Sequence, residues 1–375
     1  MTPQRQAVHR LVGYGAVCVA FLLVPLFVTD GYLLNKFARY LVFGILSLAL
    51  SLSWGYAGIL NLGQAASFGL GSYCMAMALK LRTIPIQTGA GGLPDFMVWN
   101  NVHALPWFWQ PFHSYAFAIF AGLAIPVAVA FLIGWFVFRA RVSGVFVAII
   151  TLAMLVVINL VIIDQQRYTG GFNGITDLAT FELFGVEFGA YSVSTYYLAA
   201  GFLTLLLFLG LALMNSKTGL ILQAIRDDET RVRYFGYDVA NYQNFIFCVS
   251  AAVAGLAGML YTLVMEFASP TFLAVPISLS IVIWCAVGGR ASLLGAALGA
   301  IVVTGVQGSL SDSKTFLDTW MLIMGALFIA VVLFLPNGLI SIVDVIRGRR
   351  ERRRMALPLP SPRRTGIAAW RRVAR

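Results

Sequence analysis

The stretch Ser216-Lys-Thr-Gly-Leu-Ile-Leu-Gln-Ala-Ile-Arg226-Asp-Asp-Glu229-Thr-Arg-Val-Arg233-Tyr-Phe-Gly236-Tyr-Asp238 lies between two apolar runs of membrane length, 194–214 and 244–265. It places eight charged residues between Lys217 and Asp238, in a chain with only 26 Lys and Arg and 15 Asp and Glu. A charged, helix-compatible segment clamped between two spans must be exposed to water. Leu220, Ile221, Ala224 and Ile225 recur at helical spacing, Gly219 can enter the turn and Gly236 can end one. The segment therefore reads as a short amphipathic helix lying across one face of the membrane. A connector needs only a few residues, and this one runs to about 28.

The rest of the chain agrees with that setting. Hydrophobic residues make up 60% and charged residues 11%, with a mean hydropathy of +0.85. A soluble domain of this size has roughly a quarter of its residues charged. Apolar runs lie near 11–28, 37–54, 61–79, 115–138, 144–163, 194–214, 244–265, 277–288, 292–310 and 319–335. They are too long and too free of alternation for a barrel, so the expected fold is an all-α polytopic membrane bundle of about ten segments. The first run follows Arg5 and Arg10 but has no small-residue cleavage site, so it reads as a retained helix.

Basic residues set the expected orientation. With both termini inside, 20 of the 26 Lys and Arg fall on the cytoplasmic side, 11 of them after Ile346. The 80–114 and 164–193 stretches then face outward. The expected organisation is a permease domain over 1–346 and a basic, disordered cytoplasmic tail over 347–375 that meets anionic lipid rather than nucleic acid. Trp107-Phe-Trp109 reads as an interfacial aromatic belt, with a docking surface for an external partner as the alternative.

No nucleotide-binding GxxxxGK[ST] occurs, His9, His103 and His113 lack metal-ligand spacing, and Cys18, Cys74, Cys248 and Cys285 all sit in apolar runs. Nothing in the sequence points to catalysis, a metal or a cofactor. The deep polar residues are neutral: Asn61, Gln64, Ser67, Ser72, Thr151, Asn159, Thr304 and Gln307. Amides and hydroxyls both donate and accept, which suits a small neutral solute, although each alone also reads as interhelical glue. Asn61, Gln64, Ser67 and Asn159 are the expected path residues. Trp54-Gly-Tyr-Ala-Gly58 leading into Leu62-Gly63, and Trp284-Cys-Ala-Val-Gly288 leading into Leu294-Gly295, echo one another as glycine-broken elbows. Interrupted helices in matching positions of two halves point to a transport path, and close packing through small residues is the bland reading.

These motifs carry a resemblance. Gly219, Ala224, Ile225, Arg226, Asp227 and Glu229 fit the cytoplasmic-loop pattern of LivM-type permeases of ATP-driven importers, the branched-chain amino acid uptake family. Trp54 to Gln64, Gly170-Gly-Phe-Asn-Gly174, Ser250 to Gly258, Val287-Gly-Gly-Arg290 and Leu333-Phe-Leu-Pro336-Asn-Gly-Leu339 are similar as well. Leu93-Pro-Asp-Phe-Met97 and Glu229 to Asp238 resemble the urea branch, the UrtC-type subunit, while Asn61 stands where that pattern has Ser. The resemblance implies a bacterial inner-membrane subunit that moves urea, paired with a second permease. Two cytoplasmic ATPases and a periplasmic solute-binding protein complete the importer. Gly219, Leu220, Ala224, Ile225, Arg226, Asp227 and Glu229 would then form a coupling helix over 219–229. Short amides or branched-chain amino acids are the alternative cargo. A passive urea channel would not need the long charged loop, and a membrane enzyme would need paired acids or histidines that the spans lack.

Overall fold

Backbone groups in lipid must be satisfied within their own segment, and the apolar runs up to residue 310 do fold as helices. A computed structural model describes residues 3–83, 92–183 and 185–311, together with the isolated residues 325, 326, 329 and 338. Apart from 325, 326 and 329, the expected 319–335 span lies outside the described residues, as does the 347–375 tail.

The helices, in chain order, are α1 (Pro3–Phe27), α2 (Gly31–Leu50), α3 (Gln64–Thr83), α4 (Asp95–Trp99), α5 (Tyr115–Arg139), α6 (Val145–Asp164) and α7 (Gln166–Thr169). There follow α8 (Val193–Asn215), α9 (Lys217–Asp227), α10 (Glu229–Tyr234), α11 (Val239–Met265), α12 (Val275–Gly288) and α13 (Leu293–Ser311). A π-helical turn, Ser51–Gly55, extends α2. One small antiparallel hairpin, β1 (Phe181–Leu183) with β2 (Val186–Phe188), interrupts the second loop.

Five of these helices are long and apolar enough to cross a membrane: α2 with its π turn, α5, α6, α8 and α11. The α12–α13 pair makes a sixth, bent by 117°. Gly13–Phe27 of α1 is apolar but shorter than a span. The described residues thus give five or six membrane-capable helices where ten runs stand in the sequence: two runs form the one bent pair, that of α1 is short, α3 is less apolar, and the 319–335 run lies largely outside the described residues.

Helix α11 is the axis, packed on α3, α5 and α2, while α2 packs on α8 and α13. Small residues make this possible. A side chain at Gly258 would collide with the Phe68 carbonyl, and one at Gly71 with the backbone of Gly255, so α3 and α11 meet backbone to backbone. The Ser72 and Thr262 hydroxyls share a hydrogen bond of 2.7 Å across the same seam. Most of α2 and α11 is buried, whereas α5, α6 and α8 turn most of their surface outward as apolar side chains such as Phe120, Phe136, Phe146 and Leu209.

The loops sort to two ends. At one, Trp109 Nε1 donates to Tyr168 O (3.0 Å) and Lys80 Nζ to Thr176 O (2.9 Å), which draws parts of the 80–114 and 164–193 stretches together. Lys80 is 1% exposed and ion-paired with Asp95 at 3.0 Å. Burial of a lysine is tolerable only with such a partner. At the other end α9 packs on α8 and α11, and Arg226 reaches the Gly55 carbonyl at the end of the π turn.

Candidate transport path and coupling helix

Between the π turn and α3 the chain must reverse in a few residues. Gly58 supplies the left-handed backbone this needs, at φ +75°. The linker is then pinned on three sides. Leu62 N donates to Thr151 Oγ1 of α6 (3.1 Å), Ser278 of α12 donates to the Leu62 carbonyl, and Gly63 N donates to Asn61 Oδ1 (2.9 Å).

Asn61 and Gln64 sit inside this knot. Asn61 Nδ2 donates to Gln64 Oε1 at 2.7 Å, and Gln64 Nε2 donates to the Ser250 carbonyl of α11 at 3.1 Å. The Ser250 hydroxyl donates to Ala49 O of α2 (2.6 Å) and lies 3.3 Å from Gln64 Oε1. Gln64 is fully buried and Asn61 nearly so. Asn61, Ser67 and Thr151 border a cavity of about 20 Å³ whose other walls include Ala66, Leu155 and Phe247. A space of that size admits a single water. None of its lining residues is charged.

Asn159 is not part of that cluster. It lies eight residues along α6 from Thr151, about 12 Å at 1.5 Å per residue. Its Nδ2 instead clamps the Pro270–Leu273 turn through the carbonyls of Pro270 (3.3 Å) and Leu273 (3.1 Å). Its Oδ1 is buried without a partner. Asn61, Gln64 and Ser67 are thus brought together and Asn159 stands apart.

The charged segment folds as two helices, not as one helix over 219–229. Ser216 Oγ accepts from Gly219 N (3.3 Å) to start α9, which ends at Asp227. Asp228 adopts an extended conformation and its carboxylate accepts from Arg231 N (3.1 Å), starting α10 at Glu229. The aspartate that looked like one more surface charge is a cap. Glu229 therefore belongs to the second helix, where it pairs with Arg233, while Asp228 also pairs with Arg231 at 2.7 Å.

The apolar face divides as well. Gly219, Leu222 and Ile225 are buried in the fold, whereas Leu220 (61% exposed) and Ala224 point outward and Ile221 lies between. The sequence expectation placed Ile225 with Leu220 and Ala224. The 3.6-residue period rotates it onto the inner edge beside Leu222. Arg226 also turns inward: its Nη1 donates to Gly55 O at 2.7 Å, and its Nε and Nη2 share Asp227 Oδ1 at 3.3 and 3.2 Å. Between α9 and the bundle lies a cavity of about 190 Å³, bordered by Gly58, Phe138, Gly144, Ile225, Arg226 and Gln243.

The second elbow meets the first. Ser51 Oγ donates to Arg290 O at 2.9 Å, and a side chain at Gly55 would strike that same carbonyl. The Arg290 guanidinium stands 5.4 Å over the Trp54 ring. Gly338, from the Pro336-Asn-Gly-Leu339 stretch, packs directly on Gly289. Glycines were visible in the sequence at each of these places, but nothing in it said that they touch one another.

A helical bundle with several membrane-capable spans, broken helices meeting at one end and a charged helix docked beneath them defines a multi-pass membrane permease. Residues 32–332 match the family described as the permease component of the branched-chain amino acid transport system, and the chain belongs to that family. It is similar to the high-affinity branched-chain amino acid transport system permease protein LivM of Escherichia coli, 27% identical over 325 residues, 80% of this chain and 68% of that one. It is also 25% identical to the probable branched-chain amino acid transport permease protein LivM of Methanocaldococcus jannaschii, over 80% of this chain and 91% of the relative. A ribose import permease protein, RbsC of Haemophilus influenzae, is 24% identical over 55% of this chain and 64% of its own length. No solved structure matches the chain.

Proposed function

We propose that this chain is one of two related permease subunits of an ATP-driven importer in a bacterial inner membrane, and that its cargo is urea. The observation that supports the cargo is an uncharged lining: amide and hydroxyl groups of Asn61, Ser67 and Thr151 around a small cavity with no ionised side chain. Such groups replace the hydrogen bonds of a small neutral amide without asking it to shed a charge. In this reading Asn61 and Ser67 meet the solute, Gln64 holds Asn61 in place, and Asn159 lines the route further along α6. Branched-chain amino acids are the second reading, favoured by the names of the LivM relatives.

Two cytoplasmic ATPase subunits supply the energy, and a periplasmic solute-binding protein delivers the cargo. Helix α9 meets an ATPase through Leu220 and Ala224, with Gly219 and Ile225 seating it in the bundle and Asp227 and Glu229 at its rim. Residues 1–346 form the permease domain and 347–375 a cytoplasmic tail on anionic lipid. The deciding experiment reconstitutes the complete importer in liposomes and follows ATP-dependent entry of labelled urea, acetamide and leucine. Saturable urea entry is expected. Entry of leucine without urea would replace the first reading by the second.

A further inference from the structure

Arg226 occupies an odd position for a residue in a helix that faces a partner protein. Its side chain turns back into its own subunit, and its target is specific. Gly55 is the last residue of the π turn that ends α2, and carbonyls at a helix C-terminus lack intrahelical donors. They also carry the negative end of the helix dipole, which favours a cation. The Arg226 guanidinium satisfies both demands through its 2.7 Å bond to Gly55 O. Its aliphatic stem covers Gly58, where an added Cβ would lie 3.1 Å from Arg226 Cγ. The side chain therefore grips the α2–α3 elbow at both of its glycines.

That elbow is in turn fixed to the second one. Gly55 rests on the Arg290 carbonyl, and Ser51 Oγ donates to the same atom at 2.9 Å. Continuing along the chain, Asn61 lies three residues beyond Gly58 and lines the small cavity. One guanidinium thus joins α9 to a unit made of both elbows and the first path residue. A lysine in its place would carry the charge but not the fork that holds Asp227 and Gly55 together.

We infer that Arg226 is a positioning residue that transmits movement of α9 to the Gly55–Gly58 elbow, and so couples the ATPase-facing helix to the passage at Asn61. This rests on the reading of α9 as the helix that meets the ATPase, but it differs in what Arg226 does. The guanidinium acts within the permease, not across the interface. When α9 shifts, the bond to Gly55 carries the elbow with it. Without the bond, α9 can still hold its partner and move with it while the elbow stays behind.

The test uses the complete importer in liposomes, with urea and leucine as probes, and compares wild type with Arg226→Gln and Arg226→Lys. Three quantities are read: ATPase subunit retained on purification, solute moved per ATP hydrolysed, and hydrogen exchange of the 53–64 backbone. For Arg226→Gln the ATPase should be retained, exchange at the Gly58 and Ile59 amides should quicken, and solute per ATP should fall about tenfold, within the usual range of coupling between sites. Arg226→Lys, which keeps one donor for Gly55, should recover part of that loss. Unchanged solute per ATP, or loss of the ATPase in proportion to uptake, would overturn the inference. If Arg226→Gln does not assemble, Arg226→Lys decides alone: an intermediate ratio supports the tie and a wild-type ratio overturns it. An Ala224→Glu change that leaves the ATPase bound would instead count against the interface reading of α9.

Discussion

Gln64 shows how a path residue and a packing residue differ although their side chains share the same amide chemistry. Its amide is engaged on both sides, by Asn61 Nδ2 and by the Ser250 carbonyl. Gln64→Leu would leave a buried donor and acceptor without partners, at a cost of about 1–2 kcal/mol. The expected outcome is a lower thermal midpoint in detergent together with reduced uptake. Ser67 borders the cavity at about 8% exposure and makes no such knot. Ser67→Leu should fill the space and abolish most uptake while the midpoint and ATPase co-purification stay near wild type. Gly58→Ala would place a Cβ at φ +75°, a strain of about 1–2 kcal/mol, and should again be read in the thermal midpoint. Neutral polarity was legible in the sequence at all of these positions. What was not legible is which amide had already found a partner, because Ser250 is 186 residues from Gln64.

Helix α9 has two apolar edges with separate purposes, and substitutions should separate them. Leu222 is fully buried, so Leu222→Ala should destabilise the segment by about 2–5 kcal/mol and speed proteolysis between 215 and 238. Ala224 faces out, and Ala224→Glu should leave the thermal midpoint unchanged. It should nevertheless weaken ATPase capture more than tenfold, the scale of placing an unpaired charge in an interface. Co-purification against a dilution series checks it, and normal capture would reduce α9 to a solvated connector. Sequence periodicity found this helix but set its inner edge wrongly and missed the break at Asp228. An Asp-Asp-Glu run is compatible both with a continuing surface helix and with a cap, and only the backbone decides. Lys80 is a similar case: its partner Asp95 lies across a stretch whose folding the composition does not reveal.

At the scale of the whole molecule, the apolar runs located the spans because length in lipid is a hard constraint. They do not tell a half-helix from a whole one, because the two have the same composition, and α12 and α13 stand in the sequence as two separate runs. The proposed orientation, which follows the basic residues, has the α9 end in the cytoplasm. A cysteine placed at Leu220 in intact cells should escape an impermeant thiol reagent applied outside, whereas one at Trp107, which is 81% exposed, should react. The reverse pattern would invert the molecule. Background is low because Cys18, Cys74 and Cys285 are buried.

The broken pair α12–α13 also constrains how the molecule is made. Its halves have 14 and 19 residues, and the 117° bend between them interrupts the helical ladder. Partners come from the first half of the chain: Ser47 donates to Ala296 O (2.8 Å) and Ser51 to Arg290 O (2.9 Å). Helix α2 must therefore wait in the membrane, with two hydroxyls unengaged, until more than 200 further residues have been synthesised. A nascent chain that stalls before Arg290 carries exposed polar groups on an otherwise greasy helix.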